Sequence, residues 1–288
     1  MSDEATEKVR PSSRRLAGGE GWACYEIVCE AGPEDRPFEE RHSGVSISAV
    51  VAGTFTYASD AGRALLHPGA LLLGNHGACY RCGHDHGRGD RCVSPQLSPA
   101  WFGEVAASAA GSSRFRFPAA MLSASRRTLP HTVLLESRTG ARDPLDTEER
   151  LVGFVAAALR ALSGAAPSPQ RVSAQDIRRI SRAIRYIEAH SAEPVDLGRL
   201  ASVAATSKFH FLRIFRRTVG LTPYQFLLTV RLRRAALGLL SSRDPVSAIA
   251  YEAGFGDLST FNAAFRDRFG APPRAFRRRG GLTVPSLQ

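Results

Sequence analysis

The chain has 288 residues, with 38 Lys+Arg against 27 Asp+Glu, a formal net charge of +11, 43% hydrophobic residues and five cysteines. That length suits two domains with a real core in each. It contains no run of about 18 apolar residues, which excludes a helical membrane span, and the polar, charged stretch Met1–Glu20 argues against a secretory leader. Charge divides the chain: residues 171–288 hold 20 Lys+Arg and 8 Asp+Glu, net +12, whereas residues 1–170 hold 18 and 19, net −1. A basic domain beside a neutral one points to a polyanion partner. The expected setting is the cytoplasm, where cysteines stay reduced unless they hold a metal or sense an oxidant.

In chain order, residues 1–20, with SSRR and AGGE, read as a disordered lead-in. Residues 21–140 read as β structure. Val45, Ile47, Ala49 and Val51 alternate with Ser46 and Ser48, the period of a half-buried strand. Phe55 and Tyr57 continue after Gly53, Ser59-Asp60-Ala61-Gly62 makes a hairpin turn, and His67-Pro68-Gly69 turns into the apolar run Ala70–Leu73. Short strands at this spacing predict a sandwich or barrel.

Within this region Cys79, Cys82, His84, His86 and Cys92 fall inside fourteen residues. Thiolates and imidazoles in that number are what tetrahedral Zn²⁺ takes. Gly83, Gly87 and Gly89 would let the backbone fold back on itself, and H-x-H on a strand would point both imidazoles to one face. Three readings stand open: a zinc centre, a thiol redox sensor, and a polar loop with incidental cysteines. Arg81, Arg88 and Arg91 beside the cysteines are expected to lower thiol pKa. Cys24 and Cys29 lie among Trp22, Tyr25, Ile27 and Val28 and read as buried hydrophobes. His42 and His67 read as structural.

Apolar residues from Leu151 to Leu162 recur at helical spacing, with Thr147, Glu148 and Glu149 as cap and first-turn acids, so residues 141–163 are predicted to hold a helix. It either covers the β domain or pairs with its counterpart in a homodimer. Residues 164–172 form a Pro/Ala/Ser linker, residues 173–280 the basic domain and residues 281–288 a tail.

The basic domain contains one pattern twice. Phe211, Phe215, Arg216, Gly220, Pro223 and Phe226 reappear 50 positions later as Phe261, Phe265, Arg266, Gly270, Pro273 and Phe276. In each copy a short apolar helix precedes a turn, a capping residue (Thr206–Ser207; Asp257 or Ser259), a helix buried through phenylalanines at i, i+4, and a glycine stop. This is helix-turn-helix patterning, whose second helix enters the major groove.

The stretch VDLGRLASVAATSKFHFLRIFRRTVGLTPYQFLLTVRLRRAALGLL, followed by VSAIAYEAGFGDLSTFNAAFRDRFGAPPRAFR, resembles the DNA-binding domain of AraC/XylS-type transcriptional regulators over residues 173–279. The resemblance implies seven helices, with two helix-turn-helix units joined by a long helix and recognition helices in successive major grooves of promoter DNA. It also implies contact with RNA polymerase, regulation that is more often activation, and control by an N-terminal domain that binds an effector. That domain is then expected to be a cupin-like β-barrel, and PGALLLGN resembles the family's hairpin. The fold class is therefore α+β: an N-terminal cupin-like barrel and a C-terminal all-α domain with two helix-turn-helix units.

Carried over by position, Phe209, Leu212 and Arg213 face bases in the first unit, beside Lys208, with Arg213 set for guanine and Arg216 and Arg217 for phosphate. In the second unit Leu258, Ser259, Asn262 and Ala263 fall on the reading face. Asn262 suits adenine, and Ala263 stands where the family usually has arginine. A metalloenzyme of cupin type fused to a DNA-binding domain is the alternative function. No Ser/His/Asp set, phosphate loop or dinucleotide fingerprint supports catalysis.

Overall fold

The computed structural model describes residues 11–35, 39–87, 89–137, 144–163 and 172–280. Strand β1 (Ser12–Gly19) pairs antiparallel with β2 (Trp22–Cys29), and Gly21 makes the turn at φ +75°. The expected disordered lead-in is thus corrected for residues 12–19. Their polar composition argued for disorder, but pairing with β2 and packing of Leu16 and Ala17 on the core hold them. Residues 1–10 lie outside the described residues.

The chain continues through β3 (Glu39–Arg41), β4 (Val45–Ala52), β5 (Phe55–Ser59), β6 (Gly62–Leu66), β7 (Leu71–Gly74), β8 (Cys79–Gly83) and β9 (Asp90–Leu97). Then come α1 (Pro99–Ala110), β10 (Met121–Leu122), α2 (Leu129–Ser137) and α3 (Pro144–Ser163). The strands form a six-stranded sheet, β1-β2-β9-β4-β7-β10, and a four-stranded sheet, β3-β8-β5-β6. No ladder joins the two among the described residues, so the expected barrel is not closed.

At its centre, along β4 and β7, the larger sheet is buried on both faces. Ile47, Ala49 and Val51 face a core shared with Phe102 of α1 and with Phe154, Val155 and Leu159 of α3. Val50, Leu72 and Cys92 instead meet Phe55, Tyr57 and Leu66 of the smaller sheet. The serines of β4, expected at solvent, are therefore buried, and they satisfy one another: Ser48 Oγ lies 2.7 Å from Ser94 Oγ and 3.0 Å from Ser46 Oγ.

Helix α3 begins at Pro144, so Thr147 lies inside it and is not the cap; the first-turn acid is Asp146. Its apolar stripe, from Leu151 to Leu162, is spent on this core, so the helix covers the sheet. The predicted linker falls mostly on residues 164–171, outside the described residues.

Among the described residues seven helices follow: α4 (Ala174–Ala189), α5 (Leu197–Val203), α6 (Lys208–Val219), α7 (Pro223–Ser241), α8 (Val246–Glu252), α9 (Leu258–Phe269) and α10 (Pro273–Arg278). Asp196, Ser207 and Asp257 cap α5, α6 and α9 through their side chains, and Thr222 with Gln225 forms a capping box on α7. Gly220 and Gly270 close α6 and α9 in the left-handed region. Helix α7 bridges two cores. Phe226 and Leu227 join Ile180, Ile184, Phe211 and Phe215, whereas Leu232, Ala235 and Leu239 join Ile249, Phe261, Phe265 and Phe276.

The β domain and the helical domain are docked. Arg233 of α7 donates to both Glu136 carboxylate oxygens of α2, at 2.8 and 2.6 Å, and to Val51 O at 2.7 Å. Leu65 of β6 enters the first helical core, and Leu129 and Val133 of α2 enter the second. His67 meets the Phe226 ring edge-on. Buried this way, its imidazole pKa is pushed down to about 4, as is that of His42 beside Tyr57.

Candidate functional site

The helical domain presents two helix-turn-helix units, α5–α6 and α8–α9. In α6, Phe211, Ile214, Phe215 and Val219 are buried, so the helix turns Lys208, Phe209, Leu212, Arg213 and Arg216 outward. Phe209 is 81% exposed, a large apolar surface with no partner among the described residues. Burying Phe261, Phe265 and Phe269 of α9 likewise leaves Ser259, Asn262, Ala263 and Arg266 at solvent, with Leu258 half-buried.

The predicted reading residues thus share one open face per unit, with differences in detail. Arg213 Nη2 donates to His210 Nδ1 at 3.0 Å, and His210 Nε2 lies 3.6 Å from Asp176 of α4. Arg216 and Arg217 are both exposed, but Arg217, expected at phosphate, also lies 3.5 Å from that same carboxylate. Tyr251 on α8, 54% exposed, is a further large aromatic surface of the second unit.

The predicted zinc ligands do not converge. Cys79 and Cys82 are three apart on a strand, so their side chains point to opposite faces. Cys92 is buried between the sheets and Cys82 packs against the same cluster. His84 and His86 lie beyond the end of β8, so the strand argument for a shared face fails. His84 Nε2 bonds Asp90 Oδ2 at 2.7 Å, and His86 Nε2 bonds Thr54 Oγ1 at 2.9 Å.

The donor group present among the described residues is instead Cys29, His84 and Asp90, with one ligand atom from each within 4.8 Å of the others. Cys29, expected as a buried hydrophobe, is half-buried. It stands 55 residues from His84, and only the pairing of β2 with β9, which sets Cys29 opposite Asp90, brings it there. Asp90, in a Gly-Asp step, opens β9 and is close to His84 in sequence; its link to Cys29 is not local.

The expected thiol activation is also corrected. Burial pushes the Cys82 and Cys92 thiols well above their ordinary value, with the Asp90 charge adding to it, and burial pushes Cys24 up to about 12. Arg91 acts the other way on Cys92 and is outweighed. Arg88 lies outside the described residues. At His84, burial pulls the pKa down, but hydrogen bonds to Asp90 and Cys29 outweigh it and raise it to about 9.

The β8–β9 loop then reaches the helical domain. Ser181 Oγ of α4 donates to Asp85 Oδ1 at 3.0 Å, and Arg185 donates to Ser181 Oγ at 2.7 Å. Since that serine proton is committed, Thr54, 2.8 Å away, donates to Ser181, and His86 Nε2 donates to Thr54.

A family described as a helix-turn-helix domain matches residues 200–279. The C-terminal domain is an AraC-type helix-turn-helix domain. Among related proteins, the transcriptional activator RhaS of Escherichia fergusonii is 36% identical over 99 residues, 34% of this chain and 36% of its own length. The regulator ArgR of Pseudomonas aeruginosa is 31% identical over 105 residues, 36% of this chain and 32% of its own. The match thus spans about a third of the length of these relatives.

Among solved structures, the DNA-binding domain of AdpA in complex with a target DNA is 30% identical, covering 35% of this chain and 91% of that one, with a TM-score of 0.34. ToxT of Vibrio cholerae aligns with 92% of this chain and 100% of its own at 9% identity and a TM-score of 0.36. No helix among the described residues is long and apolar enough to cross a membrane.

Proposed function

We propose that the chain is a sequence-specific, DNA-binding transcriptional regulator, with its AraC-type domain reading promoter DNA and its β domain sensing an effector. The observation that carries this reading is the pair of outward faces on α6 and α9, set on a domain with all of the chain's excess positive charge. Arg213 reads guanine in one major groove, and Asn262 reads adenine in the next. Arg216 and its repeat partner Arg266 grip phosphate, which positions the domain without specifying sequence. The bound domain activates transcription through RNA polymerase, and a small molecule, metal or oxidant at the β domain shifts its state through the docked interface.

Selection from randomised DNA, followed by competition binding, tests this. The expected site spans two successive major grooves. Arg213→Ala is expected to lose about 1–3 kcal/mol at a single base-pair position and to relax the preference there. Equal weakening on every sequence would overturn the base-reading role.

A further inference from the structure

We propose that Cys29, His84 and Asp90 form a binding site for a single transition-metal ion of the zinc type, placed to stiffen the loop that holds α4. The ion site itself is independent of the function proposed above; its regulatory meaning rests on it.

The donor set is one thiol, one imidazole and one carboxylate. Sulfur with nitrogen selects zinc and its soft or borderline neighbours over magnesium and calcium, which take oxygen. Tetrahedral ligands at bond lengths of about 2.0–2.3 Å stand about 3.3–3.8 Å apart. The three donor atoms already lie within 4.8 Å of one another, so closing on an ion needs shifts of about an ångström. His84 and Asp90 are deeply buried, with side chains 6% and 5% exposed, so the set is built into the fold and does not belong to the solvated surface. Chain geometry supports it as well. Gly89 sits at φ +67°, and a Cβ there would come within 2.6 Å of Cys29 O, so this glycine lets the loop close on β2.

Three protein ligands leave one position open, the arrangement of sites that exchange a ligand and not of closed structural zinc. Cys29 and Asp90 line a cleft of about 480 Å³ whose far wall is Arg185, Glu188 and Ala189 of α4. The open position is thereby offered to whatever enters between the two domains. One residue on from the ligand His84, Asp85 accepts the Ser181 and Arg185 bonds from α4. An ion that fixes His84 therefore fixes the acceptor holding the first helix of the DNA-binding domain.

The full-length chain is prepared reduced and metal-free, then titrated with Zn²⁺ and with Co²⁺ as a spectroscopic stand-in. Expected are about one ion per chain and a thiolate-to-cobalt charge-transfer band. Cys29→Ser should abolish that band, and His84→Gln and Asp90→Asn should each weaken uptake at least about tenfold, while Cys79→Ser leaves both intact. Circular dichroism establishes that each variant is folded, and the three conservative replacements guard against one failing to fold. Zn²⁺ should raise the melting temperature of the parent chain but not of Cys29→Ser, and should slow amide exchange in α4. Folded parent protein that takes up neither ion, or a thiolate band surviving in Cys29→Ser, overturns the site. Uptake with unchanged α4 exchange overturns the link to the DNA-binding domain, whatever DNA binding itself shows.

Discussion

The two helix-turn-helix units are built on one plan and differ at the turn and on the reading face. Helices α6 and α9 start 50 residues apart, but α5 and α8 start 49 apart, so the second unit carries one extra turn residue. In the first unit the left-handed turn position is Ala205, at φ +49°; in the second it is Gly254, at φ +93°. The same hydrogen bonds follow: Thr206 N to Ala201 O in one, Phe255 N to Ala250 O in the other. Gly256 is the added residue, and it lies exposed before the Asp257 cap. A helix-turn-helix thus tolerates a one-residue insertion when the turn's hydrogen bonds and the cap are both kept. The outward faces diverge more: Arg213 in α6 has Ala263 as its counterpart in α9, so on the proposed reading the first unit would make the stronger base contact.

This comparison can be broken at its cores first. Phe215→Ala and Phe265→Ala remove fully buried rings from the two separate clusters, and each is expected to cost about 3–5 kcal/mol in chemical denaturation. Equal loss of α9 amide protection in Phe215→Ala would show that the two cores, joined along α7, unfold as one. Next is the turn. Gly254→Ala places a Cβ 2.5 Å from Ser191 O in a backbone region that disfavours side chains, and should cost about 2–3 kcal/mol. The matching change, Ala205→Gly, relieves a left-handed alanine and should gain about 1 kcal/mol or less, read as a small rise in melting temperature. A loss on Ala205→Gly would mean the two turns are not equivalent.

Much of the helical domain was legible in the sequence because its determinants are local. Ser207, Asp257, Gly220 and Gly270 cap helices within a few residues of themselves, and Phe211/Phe215 and Phe261/Phe265 mark buried faces by spacing within one helix. The outward placement of Phe209, Arg213 and Asn262 follows from the same periodicity. The β domain was less legible. Alternation in Val45–Val51 located β4, yet it could not reveal that a second sheet covers Ser46 and Ser48, because burial of that face depends on β5, β6 and β8. Polar composition before residue 20 concealed β1, whose partner is β2.

The sequence by itself determined the repeated unit, its caps, its charge and its outward faces, since each is fixed by interactions only a few residues long. Tertiary structure alone decided which donors meet. Cys79 and Cys82 are neighbours in sequence and are parted by the strand's alternation, whereas Cys29 and His84 are far apart in sequence and are joined through the β2–β9 ladder. It also decided that Arg233 is spent on Glu136 and Val51 at the docked interface while Arg213 keeps an open face, a choice between two arginines that charge counting cannot make.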